Sequence, residues 1–140
     1  MAAESESPAP ADRLAAGRVT RKRRSFAVTL LAYGLFLLAL GIAGYVNNPD
    51  GAKTALVSGG VFGGVHLLWA WLWNRRQRIA RYGAGATLVL VLAASTWRMT
   101  VSWQAFLGGD ETKRFVAFIL TAMFLGTLRV FLRYLALPKA

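Results

Sequence analysis

One histidine and three arginines stand inside long stretches of this chain that otherwise carry no charge, and they are the residues placed to do chemistry. His66 closes the run SGGVFGGVH at 58–66. Its imidazole could hydrogen-bond a neighbouring Ser, Thr or carbonyl, touch a ligand, or carry a proton, and all three roles are open to it. A proton relay needs a second titratable group, and none of the six acidic residues falls inside an uncharged stretch. A single histidine in a chain without cysteine also falls short of the three or four ligands of a zinc site. Arg98, Arg129 and Arg133 are the anion-binding candidates, because a guanidinium grips carboxylate or phosphate through two parallel hydrogen bonds. The competing role is snorkelling, with the stem in the apolar layer and the charge at its edge. His66, Arg98, Arg129 and Arg133 are therefore the candidate ligand-binding residues. Catalytic residues, a metal site and a cofactor are not expected.

The elements that must position these residues follow from the gaps between charges. The chain has 140 residues, 56% of them hydrophobic, with 17 Lys+Arg against 6 Asp+Glu and a mean hydropathy of +0.43. Long apolar runs with the charges segregated between them read as an all-α integral membrane protein, since about 20 apolar residues cross a bilayer core. Four spans are expected, at about 26–47, 54–74, 82–106 and 115–137, forming a four-helix transmembrane bundle in which one helix could lie in the interface as an amphipathic element. Residues 1–24, rich in Ala, Ser, Pro and charge and ending in RKRR at 21–24, read as a disordered basic tail. The net charge of +11 does not point to nucleic acid, because the cations flank apolar runs instead of lining a polar face.

Charge placement also orients the chain. The tail and the connection NRRQRIAR at 74–81 are strongly basic, whereas NNPDGAK at 47–53 and GGDETKR at 108–114 balance their cations with acids. The positive-inside rule then puts both termini and residues 74–81 in the cytoplasm, in a multi-pass protein of a bacterial inner membrane. Trp69, Trp71, Trp73, Tyr82 and Tyr134 are expected at the inner interface, and Tyr45, Trp97 and Trp103 near the outer one. Asp50-x-x-Lys53 and Asp110-x-x-Lys113 form a faint sixty-residue repeat, for which a helix cap is the simple reading and ion binding the other.

The glycines spell out contact. Gly59 and Gly63 lie one helical turn apart, as do Gly60 and Gly64, and Gly41 and Gly44 recur in the first span. Such small-xxx-small pairs let helix backbones approach closely in lipid, where packing replaces the hydrophobic drive. All six are expected to pack helices, and a smooth groove or hinge is the functional alternative. His66 shares the face of Gly59 and Gly63, about 18 Å along its helix, and should point into the bundle. Arg98 follows Arg81 by about 25 Å of helix, near the outer interface.

GIAGY at 41–45 followed by ALVSGGVFGG at 55–64 resembles the transmembrane-14 family, which includes the plastid fatty-acid export proteins. The matching positions are Gly41, Gly44, Tyr45, Leu56, Gly59, Phe62 and Gly63. The second half keeps Phe106 and the pair Arg114–Phe115 but lacks the proline and glycine that the family usually carries before its last helix. The resemblance covers roughly residues 28–135. It implies a small helical membrane protein that moves hydrophobic anions such as fatty acids or a porphyrin precursor. Together with the residues, it leads to the expectation of a non-enzymatic carrier whose partners are the bilayer, a lipid-like anion and either a second copy or a larger membrane complex. The alternative is a structural or accessory subunit that docks through the glycine faces. A proton-coupled drug exporter is disfavoured by the missing intramembrane carboxylate.

Overall fold

The computed structural model describes residues 10–47 and 53–137. Four helices fill that range: α1 (Pro10–Asn47), α2 (Lys53–Trp73), α3 (Gln77–Leu107) and α4 (Arg114–Leu135), with a single 3-10 turn at Glu111–Lys113 before the last. All four are long and apolar enough to cross a membrane, and the four expected spans fall one on each.

α1 holds the main departure from the sequence reading. Residues 10–24, expected as a disordered tail, form the first two fifths of this helix, and residues 1–9 of that tail lie outside the described residues. The physical reason is local. Pro10 occupies the first helical position, where its missing N–H costs no bond, and the Ala, Leu, Arg and Lys that follow are among the strongest helix formers. At 38 residues α1 is about 57 Å long, nearly twice the hydrocarbon thickness of a bilayer. Its basic segment therefore projects beyond the apolar layer at one end.

The helices pack in a ring, α1 on α2, α2 on α3, α3 on α4 and α4 back on α1. Neighbours are antiparallel, because contacts pair rising with falling numbers: Phe26 near the middle of α1 with Trp73 at the end of α2, and Gly41 further along α1 with Gly59 nearer the start of α2. The α1–α2 seam is the tightest. A Cβ on Gly59 would lie 2.7 Å from the Gly41 Cα, and one on Gly63 2.8 Å from the Gly34 carbonyl oxygen, so backbone meets backbone there. Gly44 sits beside Ala55 at the mouth of the same seam. The packing expected of Gly60 and Gly64 is not found. They are exposed, and a Cβ at either meets nothing within 4 Å. One residue of offset turns a helical position by about 100°, so the two interleaved pairs cannot face one partner.

The α3–α4 seam uses larger groups. The Trp103 Nε1 donates to the Thr121 hydroxyl at 2.9 Å, and its ring meets Phe118 edge-on at 5.5 Å. Within the ring lie Leu30, Tyr33, Leu37, Trp73, Ala84, Leu88 and Val130, all nearly inaccessible. Outside it, Leu31, Leu35, Ile42, Val57, Leu68, Val89 and Leu125 are exposed. An apolar skin over a thin core is the arrangement that lipid tails, not water, would cover. At the end of α2, Trp71 is 55% exposed whereas Trp73 is 4% exposed, its ring tilted against Phe26 with centroids 4.9 Å apart. Of the two acid–lysine pairs, Asp50 lies outside the described residues. Asp110 does cap, accepting from the Thr112 backbone N–H at 3.1 Å and also from the Thr112 hydroxyl.

Candidate functional site: a cleft between the first and last helices

Where α1 and α4 run side by side, antiparallel register brings together residues almost a hundred positions apart. Thr29, Tyr33 and Phe36 recur every three or four residues and share one face of α1, as Gly126, Arg129 and Arg133 do on α4. The Arg133 Nη1 donates to the Thr29 hydroxyl at 3.1 Å. The Tyr33 and Thr127 hydroxyls lie 2.6 Å apart, and Thr127 gives its single proton to the Met123 carbonyl oxygen at 2.6 Å. Tyr33 must therefore be the donor to Thr127. Lower down, Gly126 leaves room for the Phe36 ring, since a Cβ there would stand 2.9 Å from it.

Between these pairs runs a cleft of about 430 Å³. Val28, Ala32, Tyr33, Phe36 and Val130 give it apolar walls, and Arg129 and Arg133, one helical turn apart, line it as exposed cations. No acidic side chain is among the described residues that line it. The volume lies within the range of small-molecule sites, which are mostly apolar with a few placed polar groups. Chemically, such a cleft can hold an apolar body and neutralise one anionic head. A second cleft of about 450 Å³ adjoins it at the end where α1 projects, and shares Ser25, Thr29 and Arg133 with it.

The structure brings Arg129 and Arg133 together and leaves the other two candidates outside. His66 is wholly buried, and its Nδ1 donates to the Phe62 carbonyl oxygen at 2.7 Å. Its ring stands edge-on to Tyr33, with centroids 4.9 Å apart, so it backs the cleft wall without lining it. The Nε2 has no hydrogen-bond partner. With Nδ1 as the donor, a neutral ring leaves Nε2 as a bare lone pair. Arg98 is exposed on α3, which does not pack on α1, and it lines neither cleft. Among the described residues no group of three His, Asp or Glu could hold a metal ion.

Sequence reasoning passed over Tyr33, Thr29 and Thr127, and it left Arg18, Arg21 and Lys22 in a tail when they line the second cleft. A signal was present for the first: a tyrosine in mid-span is a polar handle that needs a partner. Only the register of α1 on α4 says which partner.

A family model described as transmembrane proteins 14C matches residues 29–131. No curated protein and no solved structure matches the chain.

Proposed function

The chain belongs to the transmembrane protein 14 family, and on that premise we propose that this multi-pass membrane protein is a non-enzymatic carrier or facilitator for a hydrophobic anion, fatty-acid-like or porphyrin-like. The observation that carries the reading is the α1–α4 cleft, with apolar walls and two arginines in its lining. A carboxylate would meet Arg129 and Arg133, and the apolar body would lie along Tyr33, Phe36 and Val130. The basic connection at 75–81 and the basic start of α1 support a bacterial inner membrane with both termini cytoplasmic.

Gly60 and Gly64 favour a second reading. Their outward face is free in the single chain and suits close approach of another transmembrane helix, whether from a second copy or from a larger complex. One preparation separates the two. Native mass spectrometry of the gently extracted chain should find a retained fatty acid or tetrapyrrole, and Arg129→Gln/Arg133→Gln should lose most of it. A ligand-free chain held in stoichiometric complex with other subunits would overturn the carrier reading in favour of an accessory role.

A further inference from the structure

The second cleft lies where α1 leaves the apolar layer, and its composition differs from that of the first. Arg18, Arg21 and Lys22 line it from α1 and Arg133 from α4, over a floor that includes Phe26 and Leu137. Residues 18, 21, 22 and 25 are spaced so that one helix face carries them all towards α4. Arg24 belongs to the same basic run but turns away and lines neither cleft.

Four cations around one space of about 450 Å³ repel one another, and among the described residues that line it none is acidic. At the end of α4 two of the last four carbonyls already have partners. The Leu132 oxygen already accepts from the Ala136 N–H at 3.1 Å, and the Tyr134 oxygen from the Leu137 N–H at 3.1 Å. Positive flanks are ordinary for membrane topology. Topology alone, however, asks only that the cations lie on one side of the membrane, not that two helices bring them to the rim of one open cleft with an apolar floor.

We propose that this cleft binds the phosphate of an anionic phospholipid headgroup, a resident lipid distinct from any carried anion. The guanidinium groups of Arg18 and Arg21 and the ammonium of Lys22 take the phosphate oxygens. Half-buried Leu137, beside the buried Phe26, meets the glycerol end of the acyl chains, at the level where headgroup gives way to hydrocarbon. A free inorganic phosphate offers the same oxyanion chemistry but leaves the apolar floor uncovered, so the lipid is the favoured source. The site goes beyond the carrier reading and does not need transport to be true.

The test uses the full chain in an uncharged detergent, titrated with phosphatidylglycerol, phosphatidylcholine or inorganic phosphate and read by native mass spectrometry. Phosphatidylglycerol should half-saturate at about tenfold lower concentration than phosphatidylcholine. Arg21→Gln/Lys22→Gln should weaken it by about tenfold, whereas Arg24→Gln/Arg78→Gln, with the same charge loss at exposed positions of the same end, should leave it within about twofold. Equal loss in both double variants, or equal binding of the two lipids, would overturn the site as diffuse surface charge. Binding of inorganic phosphate that depends on Arg21 and Lys22, with no preference for phosphatidylglycerol, would keep the phosphate chemistry and overturn the lipid. Because Arg133 is untouched in these variants, loss of the carried anion from the first cleft would be a separate failure.

Discussion

At the scale of single residues, the hydrogen bond between α1 and α4 carries an asymmetry that can be measured. Tyr33→Phe removes the donor, but Thr127 keeps its bond to the Met123 carbonyl. The expected loss is about 0.5–1 kcal/mol, the usual worth of one bond between membrane helices. Thr127→Val removes the acceptor and strands the Tyr33 hydroxyl in a place that is 4% exposed. Its expected cost is about 1–3 kcal/mol, because a buried donor left without a partner keeps its whole desolvation penalty. Unfolding in detergent should therefore rank Thr127→Val below Tyr33→Phe, and the reverse order would mean that Thr127 is not the partner that matters. His66 is a different case. Its Nε2 is already unpartnered, and its ring packs edge-on to Tyr33. His66→Phe keeps the aromatic contact but removes the Nδ1–H bond to the Phe62 carbonyl and puts a larger ring in a wholly buried place, so it should cost about 1–3 kcal/mol. A loss well beyond that would show that Nε2 has a partner.

At the scale of the elements, the α1–α2 seam is held by backbone approach, and the two glycine pairs of α2 divide accordingly. Gly59→Ala must push its Cβ against Gly41 and the Leu37 carbonyl, both backbone, which cannot swing away as a side chain does. Overpacking of that kind costs about 1–3 kcal/mol and should loosen the α1–α2 hairpin. Gly60→Ala meets open space and gains helix propensity, so it should be neutral or stabilising by up to about 1 kcal/mol. If Gly60→Ala instead abolishes a dimer without lowering the stability of the monomer, the outward face is an intermolecular seam. This pair also marks what could be read from the residues. Span positions were legible, because charge is excluded from the bilayer core and the gaps between charges have the length of a crossing. The face that each glycine presents was not, since both pairs repeat every four residues and only the neighbour's position separates them. The cleft was half legible for a related reason. Arg129 and Arg133 stand out as cations in an apolar run, but their partners come from the other end of the chain. The departure at residues 10–24 has a different source: Ser and Pro near the start set the reading, while Ala, Leu and Arg further on set the structure.

At the scale of the whole molecule, charge is divided between the two ends of the bundle, and the division can be tested without reference to any ligand. Arg18, Arg21, Lys22 and Arg24 of α1 and Arg75, Arg76, Arg78 and Arg81 around the α2–α3 turn lie at one end. Asp110 and Glu111 offset Lys113 and Arg114 at the other. Four crossings require the start of α1 and the α2–α3 turn to share a side, with the α3–α4 connection opposite, and the positive-inside rule predicts that the basic side is the cytoplasmic one. The chain contains no cysteine, so each introduced thiol reports alone. Gly17→Cys, Arg78→Cys and Glu111→Cys are all at exposed positions. In intact bacterial cells a membrane-impermeant maleimide should label the thiol at position 111 and leave those at 17 and 78 unlabelled until the membrane is opened. Labelling at 17 and 78 but not at 111 would keep four crossings and invert the orientation. Labelling of all three from one side would mean that α3 and α4 do not both cross. α4 would then not run beside α1 through the bilayer, and the α1–α4 cleft would offer no route from one leaflet to the other.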